Sequence, residues 1–533
     1  MDSLADSPSP SYAPTIRRGR LIIGGLSVLG GLLCLAWTRV LFARVVGVSV
    51  LALWSFDPLV LSHAALATGD VVPTVLGIAS VYAFWKWMQK PSMSGAVICG
   101  IALGFVLLSK YVWVVMPVLW TVLWTVRRFV SPRPERWPLP GHLAVMAVLA
   151  VYVVNVGYAF ESTFQPWRTF QFNSPTWQRF AVDPEATSGL SAWLGAVPVP
   201  LPRNYIMGID VVAHHVQTES FPTYVHGRFY DGNVWWFHIY GLLVKMPLGT
   251  WLLLFIAVYA RVTGRESRVE RRGLRVRGRE PATASESRGT EGDSTASEDH
   301  RTDLFGARHW FTDLVLWLPA ITILVFVSWV TQIKLLRYIL PMLPFVFIWI
   351  GHAFVWAQEG RWWRKTLVYG ALAWSVGSSL WVYPHSLSYF NEAAGGTANG
   401  HNHLIWASYD WGQDMLFLKD WVDEHPQARP LYVNCYGAVA PEVVGITAES
   451  APWDGPQPGW YAVSASFLRG IWRAHHPYYN RPIYPYSYLE LFLDETPVDR
   501  VAYSIFVYHL DCAQANAMRA KLGLELIECG ESP

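Results

Sequence analysis

Apolar runs of bilayer-crossing length alternate with short polar breaks over most of the chain. They cover residues 21–42, 45–61, 71–87, 94–109, 112–126, 143–160, 237–260, 314–330, 338–356 and 367–383. A crossing takes about 20 such residues, and although several runs are shorter, the pattern predicts about ten membrane helices. The run at residue 21 exceeds a signal peptide's apolar core and lacks a small-x-small cleavage site, so it is expected to be a retained helix. Residues 94–126 would reach about 50 Å as one helix, too long for a single crossing. Lys110 then falls at the tip of a helical hairpin. Residues 1–20 are polar and rich in Pro and Ser, and predict a disordered tail. Residues 161–236 are polar and aromatic, with turn-rich pieces such as VPVPLPRN and HGRFYDGN that predict an ordered loop. From residue 384 the apolar runs shorten to strand length in PLYVNCYG, GWYAVSASF and VAYSIFVYHL, with a helical DWGQDMLFLKDWVDEH between them, predicting a small α/β domain over 384–533.

Composition sharpens this picture. Of 533 residues, 52% are hydrophobic and 15% charged, far more apolar surface than soluble domains of this length could bury. Lys and Arg number 41 against 39 Asp and Glu, a net charge of +2, so no global field points to nucleic acid. The 29 Trp, 25 Tyr and 25 Phe suit aromatic belts at membrane interfaces. Five cysteines are present. Cys34 and Cys99 lie in apolar runs, while Cys435, Cys512 and Cys529 lie in the C-terminal third, without zinc spacing. A disulfide among those three, or free buried thiols, are both open.

Basic residues orient the chain. Arg261, Arg265, Arg268, Arg271, Arg272, Arg275, Arg277 and Arg279 crowd one segment, and Arg361, Arg364 and Lys365 another. Both are expected to be cytoplasmic, the first as a loop over 261–310 whose acidic half, SESRGTEGDSTASEDH, reads as a disordered linker. Counting outward places 161–236, the TQIKLLR segment and residues 384–533 on the extracytoplasmic side of an integral, multi-pass membrane protein, with Asp70 and Lys110. The same count leaves the N-terminal tail outside, where Arg17, Arg18 and Arg20 flank the wrong face, as though one helix preceded residue 21.

Ionisable groups near a membrane surface are functional candidates. Asp70, in SHAALATGDVVPT, reads either as a site residue or as the N-cap of a helix starting at Val71 with Pro73 in its first turn. His63 stands seven residues earlier, on the same face if the piece is helical. Asp57 before Pro58 marks a helix break. Lys110 in LLSK and Arg337 with Tyr338 in LLRYILP would suit a phosphate if they converge; the alternative is snorkelling to the interface. Lys245 in YGLLVKMPLG joins them or lies deeper. His214, His215 and His226 are scattered over an aromatic loop, so no metal set is predicted. At WGQD (411–414), Asp414 or the preceding Asp410 would cap the following helix, and the aromatic neighbours suit sugar stacking or packing against the membrane domain. No nucleotide loop, HExxH or GxSxG elbow is present. A transporter would need mid-bilayer charges and repeated helices, and neither is seen.

FDPLVLSHAALATGDVVPT, YAFWKW, ALGFVLLSK, NVGYAFES, WWFHIYGLLVKMPLG, LLRYILPMLP, SLSYFNEAAGG and SYDWGQDM together resemble glycosyltransferase family 39-like membrane enzymes, related to protein O-mannosyltransferases and lipid A aminoarabinose transferases. Matching segments run in order from about residue 20 to past residue 510. The resemblance implies a GT-C fold and an inverting transferase without cofactor. Such an enzyme moves a sugar from a polyprenyl-phosphate carrier to an extracytoplasmic protein, lipid or glycan acceptor. It implies Asp70 as the catalytic carboxylate, in TGD, and Lys110, Arg337 and Tyr338 as phosphate ligands. Glu161, in GYAFES, would stand near the acceptor with its role open. Family members begin with an additional helix and a loop carrying an acidic residue. Here residue 21 matches the second helix, so the expectation is a chain one helix short, in which Asp70 serves as base or the protein binds the carrier without catalysis.

Overall fold

The protein is described from a computed structural model over residues 12–66, 68–130, 140–181, 188–218, 221–263, 294–331, 333–437, 439–471 and 484–529. Its membrane part begins with α1 (Tyr12–Leu41), α2 (Arg44–Phe56), α3 (Pro58–Ala65), α4 (Val71–Gln89), α5 (Met93–Ser109), α6 (Met116–Val130) and α7 (Pro140–Gly157). An irregular region then carries α8 (Gly189–Ala196), α9 (Arg203–Thr218) and a hairpin of β1 (Thr223–Val225) and β2 (Arg228–Tyr230). The chain returns through α10 (Phe237–Lys245), α11 (Leu248–Val262), α12 (Ser294–Trp329), α13 (Leu343–Gln358) and α14 (Trp362–Val382).

Among the described residues, six helices are long and apolar enough to cross a membrane, or up to eight if each bent pair is one span. Each of the ten expected runs is helical, but fewer meet that criterion: α5 has 17 residues, and α14 is long enough but not among the helices apolar enough. Two further expectations shift. Helix α1 starts at Tyr12 rather than residue 21, and α12 starts at Ser294, inside the expected cytoplasmic loop. The arginines from Arg265 to Arg279 lie outside the described residues, as do residues 1–11 of the tail.

The bent pairs have local causes. Asp57 ends α2 and caps α3, accepting from the amides of Leu59 and Val60 at 3.0 Å each, with Pro58 in the first turn. Its predicted role as a break is realised as a 58° bend. Between α10 and α11 the chain turns by 108° at Met246 and Pro247. Carbonyls freed there need new donors in an apolar setting. Asn391 supplies them, its side-chain amide donating to Leu243 O at 2.7 Å and Met246 O at 3.0 Å.

Helix α13 is apolar all round and buried among α1, α2, α11, α12 and α14, as a central helix must be. By contrast α1 leaves Leu21, Ile22, Val28 and Leu29 exposed, a lipid-facing stripe. Arg261, Trp349 and His352 converge on Asp313, tying α11, α12 and α13 together.

The C-terminal domain holds α15 (Met415–Glu424), α16 (Cys512–Lys521) and a four-stranded sheet. Its strands are β3 (Leu431–Asn434), β4 (Gly459–Ser464), β5 (Asp499–Val501) and β6 (Ile505–Leu510), in the order β3-β4-β6-β5. β3 runs parallel to β4, while β6 is antiparallel to β4 and β5. All three predicted strand runs are present. VAYSIFVYHL holds the last residue of β5 and all of β6, because Ala502 and Tyr503 take positive φ and turn the chain between them. Cys512 and Cys529 form a disulfide, and Cys435 is free. Phe390, Tyr409 and Tyr461 continue the core of the helical bundle into this domain.

Candidate functional site

The predicted residues Asp70, Lys110, Arg337 and Tyr338 meet where α4, α5 and the segment before α13 converge. Asp70 stands at the start of α4 in an α-helical conformation, and its side chain makes no capping bond. Thr74 instead takes the Asp70 carbonyl, through its amide at 3.3 Å and its hydroxyl at 2.7 Å. The carboxylate is thus turned away from the helix. Lys110 ends α5 with an extended backbone, followed by a 3-10 turn over Tyr111–Val115. Trp113 in that turn anchors it, donating from Nε1 to Pro73 O at 2.9 Å. Gly77 makes room for the indole: a Cβ there would stand 2.1 Å from Trp113. These contacts bring Lys110 Nζ within 2.6 Å of Asp70 Oδ1.

Arg337 lies in the 3-10 segment Leu336–Met342, whose first amide donates to Ser408 Oγ at 3.3 Å. Its Nε is 3.5 Å from Asp70 Oδ2. The Tyr338 ring lies 4.6 Å from Lys110 Nζ and 5.7 Å from the Arg337 guanidinium. Trp411 covers the guanidinium at 4.3 Å, a contact worth about 0.5–2 kcal/mol. Side-chain exposure is 28% for Lys110, 18% for Arg337 and 5% for Asp70, so the cations face outward with the carboxylate behind them. Two cations against one carboxylate leave a surplus positive charge, the arrangement that attracts an anion.

Other predicted residues lie apart. Glu161 is exposed in the turns after α7, and the contacts uniting the four residues do not include it. Lys245 is buried at the α10–α11 bend, donating to Leu387 O at 2.6 Å and to Ser408 O. Its protons are spent on carbonyls at the bend. His63 is fully buried with neither ring nitrogen hydrogen-bonded; α3 ends at Ala65, so no continuous helix places it beside Asp70. Neither Asp414 of WGQD nor Asp410 before it caps α15 through its side chain. Asp414 accepts from Ser504 Oγ at 2.6 Å and Gln413 Nε2 at 2.9 Å and faces His385 Nδ1 at 3.3 Å. Asp410, also buried, lies 3.4 Å from the amides of Gly412 and Ser466. These bonds fix the turn that presents Trp411 to Arg337. The part Trp411 plays in the site was not legible beyond the expectation of stacking or packing, because its partner is far away in sequence.

A family model described as dolichyl-phosphate-mannose-protein mannosyltransferase matches residues 17–158, which include Asp70 and Lys110. No curated protein matches the chain. Among solved structures, ArnT from Cupriavidus metallidurans in the apo state is 15% identical, with a TM-score of 0.37, covering 92% of this chain and 82% of that one. The same protein bound to undecaprenyl phosphate is 14% identical, with a TM-score of 0.37, covering 92% and 83%.

Proposed function

We propose that this polytopic protein is a GT-C-like inverting glycosyltransferase that takes a sugar from a polyprenyl-phosphate carrier and delivers it to an extracytoplasmic protein, lipid or glycan acceptor. The observation that carries the reading is the Asp70, Lys110 and Arg337 cluster, with Tyr338 and Trp411 around its cations. Lys110 and Arg337 would bind the carrier phosphate, Lys as a point charge and Arg as a fork, with the Tyr338 hydroxyl as a further donor. As they turn to the phosphate, the oxygens of Asp70 are released. Asp70 then takes the proton from the acceptor hydroxyl while its oxygen attacks the anomeric carbon. The bond from that carbon to the phosphate oxygen breaks, and the cations hold the departing phosphate. Glu161 is placed on the acceptor side in this scheme, through the resemblance alone.

Pairing of both Asp70 oxygens with cations favours a second reading, in which Asp70 only orders a carrier-binding site and no transfer occurs. Sugar transfer by membranes containing this chain separates the two. On the enzymatic reading, Asp70→Asn is expected to lower kcat by about 10²–10⁴-fold with the protein still inserted, and Arg337→Ala to raise the KM for the donor. Undiminished transfer by Asp70→Asn would sink the assignment of the base.

A further inference from the structure

At the end of α13 away from the Asp70 cluster, α11, α13 and α14 leave a groove of about 400 Å³ between them. The rise along α13 from Leu343 to Trp356 is about 20 Å, so the groove is remote from Arg337. Its floor is the buried Trp356. Its walls are two rows at i,i+4 spacing, Phe255 with Tyr259 on α11 and Trp363 with Leu367 on α14, and all four side chains are exposed. Tyr259 and Trp363 meet the Trp356 ring edge-on, at 6.0 Å and 5.6 Å between centroids. Helix α11 ends and α14 begins on this side, so Tyr259 and Trp363 stand near the helix ends and Phe255 and Leu367 lie one turn deeper.

Arg364 brings charge to this apolar setting. Its guanidinium lies 4.4 Å from the Trp356 ring and 5.6 Å from the Trp363 ring, and its Nε is buried without a hydrogen-bond partner among the described residues. An arginine that only anchors a helix end reaches outward to water. This one folds back over Gly360, where an added Cβ would meet Arg364 Cδ at 2.0 Å. The local field points the same way. Arg361, Arg364 and Lys365 crowd the start of α14, with no acid in its first turn and no side chain capping it. Cations there oppose the helix dipole, and open first-turn amides favour an anion. Among the described residues no carboxylate pairs with any of the three, so their charge calls for an outside partner.

We propose that this groove binds one anionic phospholipid. Its phosphate sits against Arg364, whose planar fork suits two phosphate oxygens, with Arg361, Lys365 and the first amides of α14 at the rim. Its acyl chains lie deeper, along Phe255 and Leu367. A phosphate free in solution would use the charged rim and leave the apolar walls bare. The exposed rows below the cations run toward the bilayer interior, so a lipid is the occupant that satisfies both halves of the groove. Bound there, it ties α11 to α14 across Trp356, at the end of the bundle that the basic residues assign to the cytoplasmic leaflet.

The test uses the full chain purified in detergent, freed of lipid and titrated with dioleoylphosphatidylglycerol, dioleoylphosphatidylcholine or inorganic phosphate. Native mass spectrometry counts bound lipids and thermal unfolding gives Tm. One phosphatidylglycerol per chain is expected to stay bound and to raise Tm, while phosphatidylcholine and phosphate do neither. Arg364→Gln should weaken Kd by about tenfold or more, as loss of a charged contact implies, with a lipid-free Tm close to that of the parent. Leu367→Trp fills the apolar half and keeps the cations; it should weaken binding as well, and it decides the matter if Arg364→Gln does not fold. Two controls should retain the phosphatidylglycerol: Lys86→Gln/Lys90→Gln, which removes exposed cations from the end of α4 opposite Asp70, and Arg337→Ala, which alters the proposed donor site. Equal retention of phosphatidylcholine, the same Tm rise from phosphate, unchanged binding by Arg364→Gln or Leu367→Trp, or loss in either control would each overturn the site.

Discussion

Asp70 shows how a single residue's meaning depends on where its side chain turns. The local pattern, an acid before a helix with proline in its first turn, fits an N-cap, and only the position of Lys110 and Arg337 decides against it. Lys245 is the converse case, a cation that the sequence left either among the phosphate ligands or deeper, and that packing commits to backbone carbonyls. Asp410 gives a prediction at this scale. Burial raises its carboxyl to about 6, outweighing the serines at 464 and 466 and the Gly412 amide, while Asp414 pushes the same way as burial. Between about pH 4 and pH 6 the native state therefore binds more protons than the unfolded chain, and stability falls as pH rises through that window. Asp410→Asn, measured by thermal unfolding in detergent, is expected to match the parent near pH 4. Above pH 6 it should gain on the parent by an amount on the order of 3 kcal/mol. An offset that stays constant across this range would contradict the assignment.

At the level of elements, hydropathy located the helices well and the bends poorly. Long apolar runs carry a strong signal, whereas a bend depends on one capping acid, as at Asp57, or on a distant amide, as at Asn391. The C-terminal strands were legible because their short apolar runs are bounded by turn residues; their order was not, since it rests on pairings between remote segments. The approach of the Lys110 turn to α4 depends on a missing side chain. Gly77→Ala would drive a methyl into the Trp113 indole, costing about 1–3 kcal/mol and drawing Lys110 from Asp70. Gly370 on α14 has nothing within 4 Å of its would-be Cβ, so Gly370→Ala is a matched control. Chromatographic stability and transfer should both fall in the first variant and neither in the second; equal behaviour would show that the Trp113 anchor does not set the site.

The whole molecule combines a helical bundle, a buried central helix and a β-containing domain whose core is continuous with the bundle. Its proposed orientation rests on arginine placement, and the Cys512–Cys529 disulfide fits a domain in an oxidising compartment. In a Cys435→Ser background, a membrane-impermeant maleimide is expected to label Cys512 and Cys529 in right-side-out vesicles only after reduction, with Cys34 and Cys99 silent. Labelling restricted to inverted vesicles would reverse the orientation. The sequence by itself determined the membrane class, most helix positions, the strand-bearing C-terminal domain and the candidate residues, because hydrophobic periodicity and short motifs are local properties. Tertiary structure decided where the helices bend, the disulfide partner, and the meeting of Asp70 with Lys110, Arg337 and Trp411. Those outcomes depend on contacts between segments far apart in the chain, where bends, a single glycine and paired charges fix which side chains can reach one another.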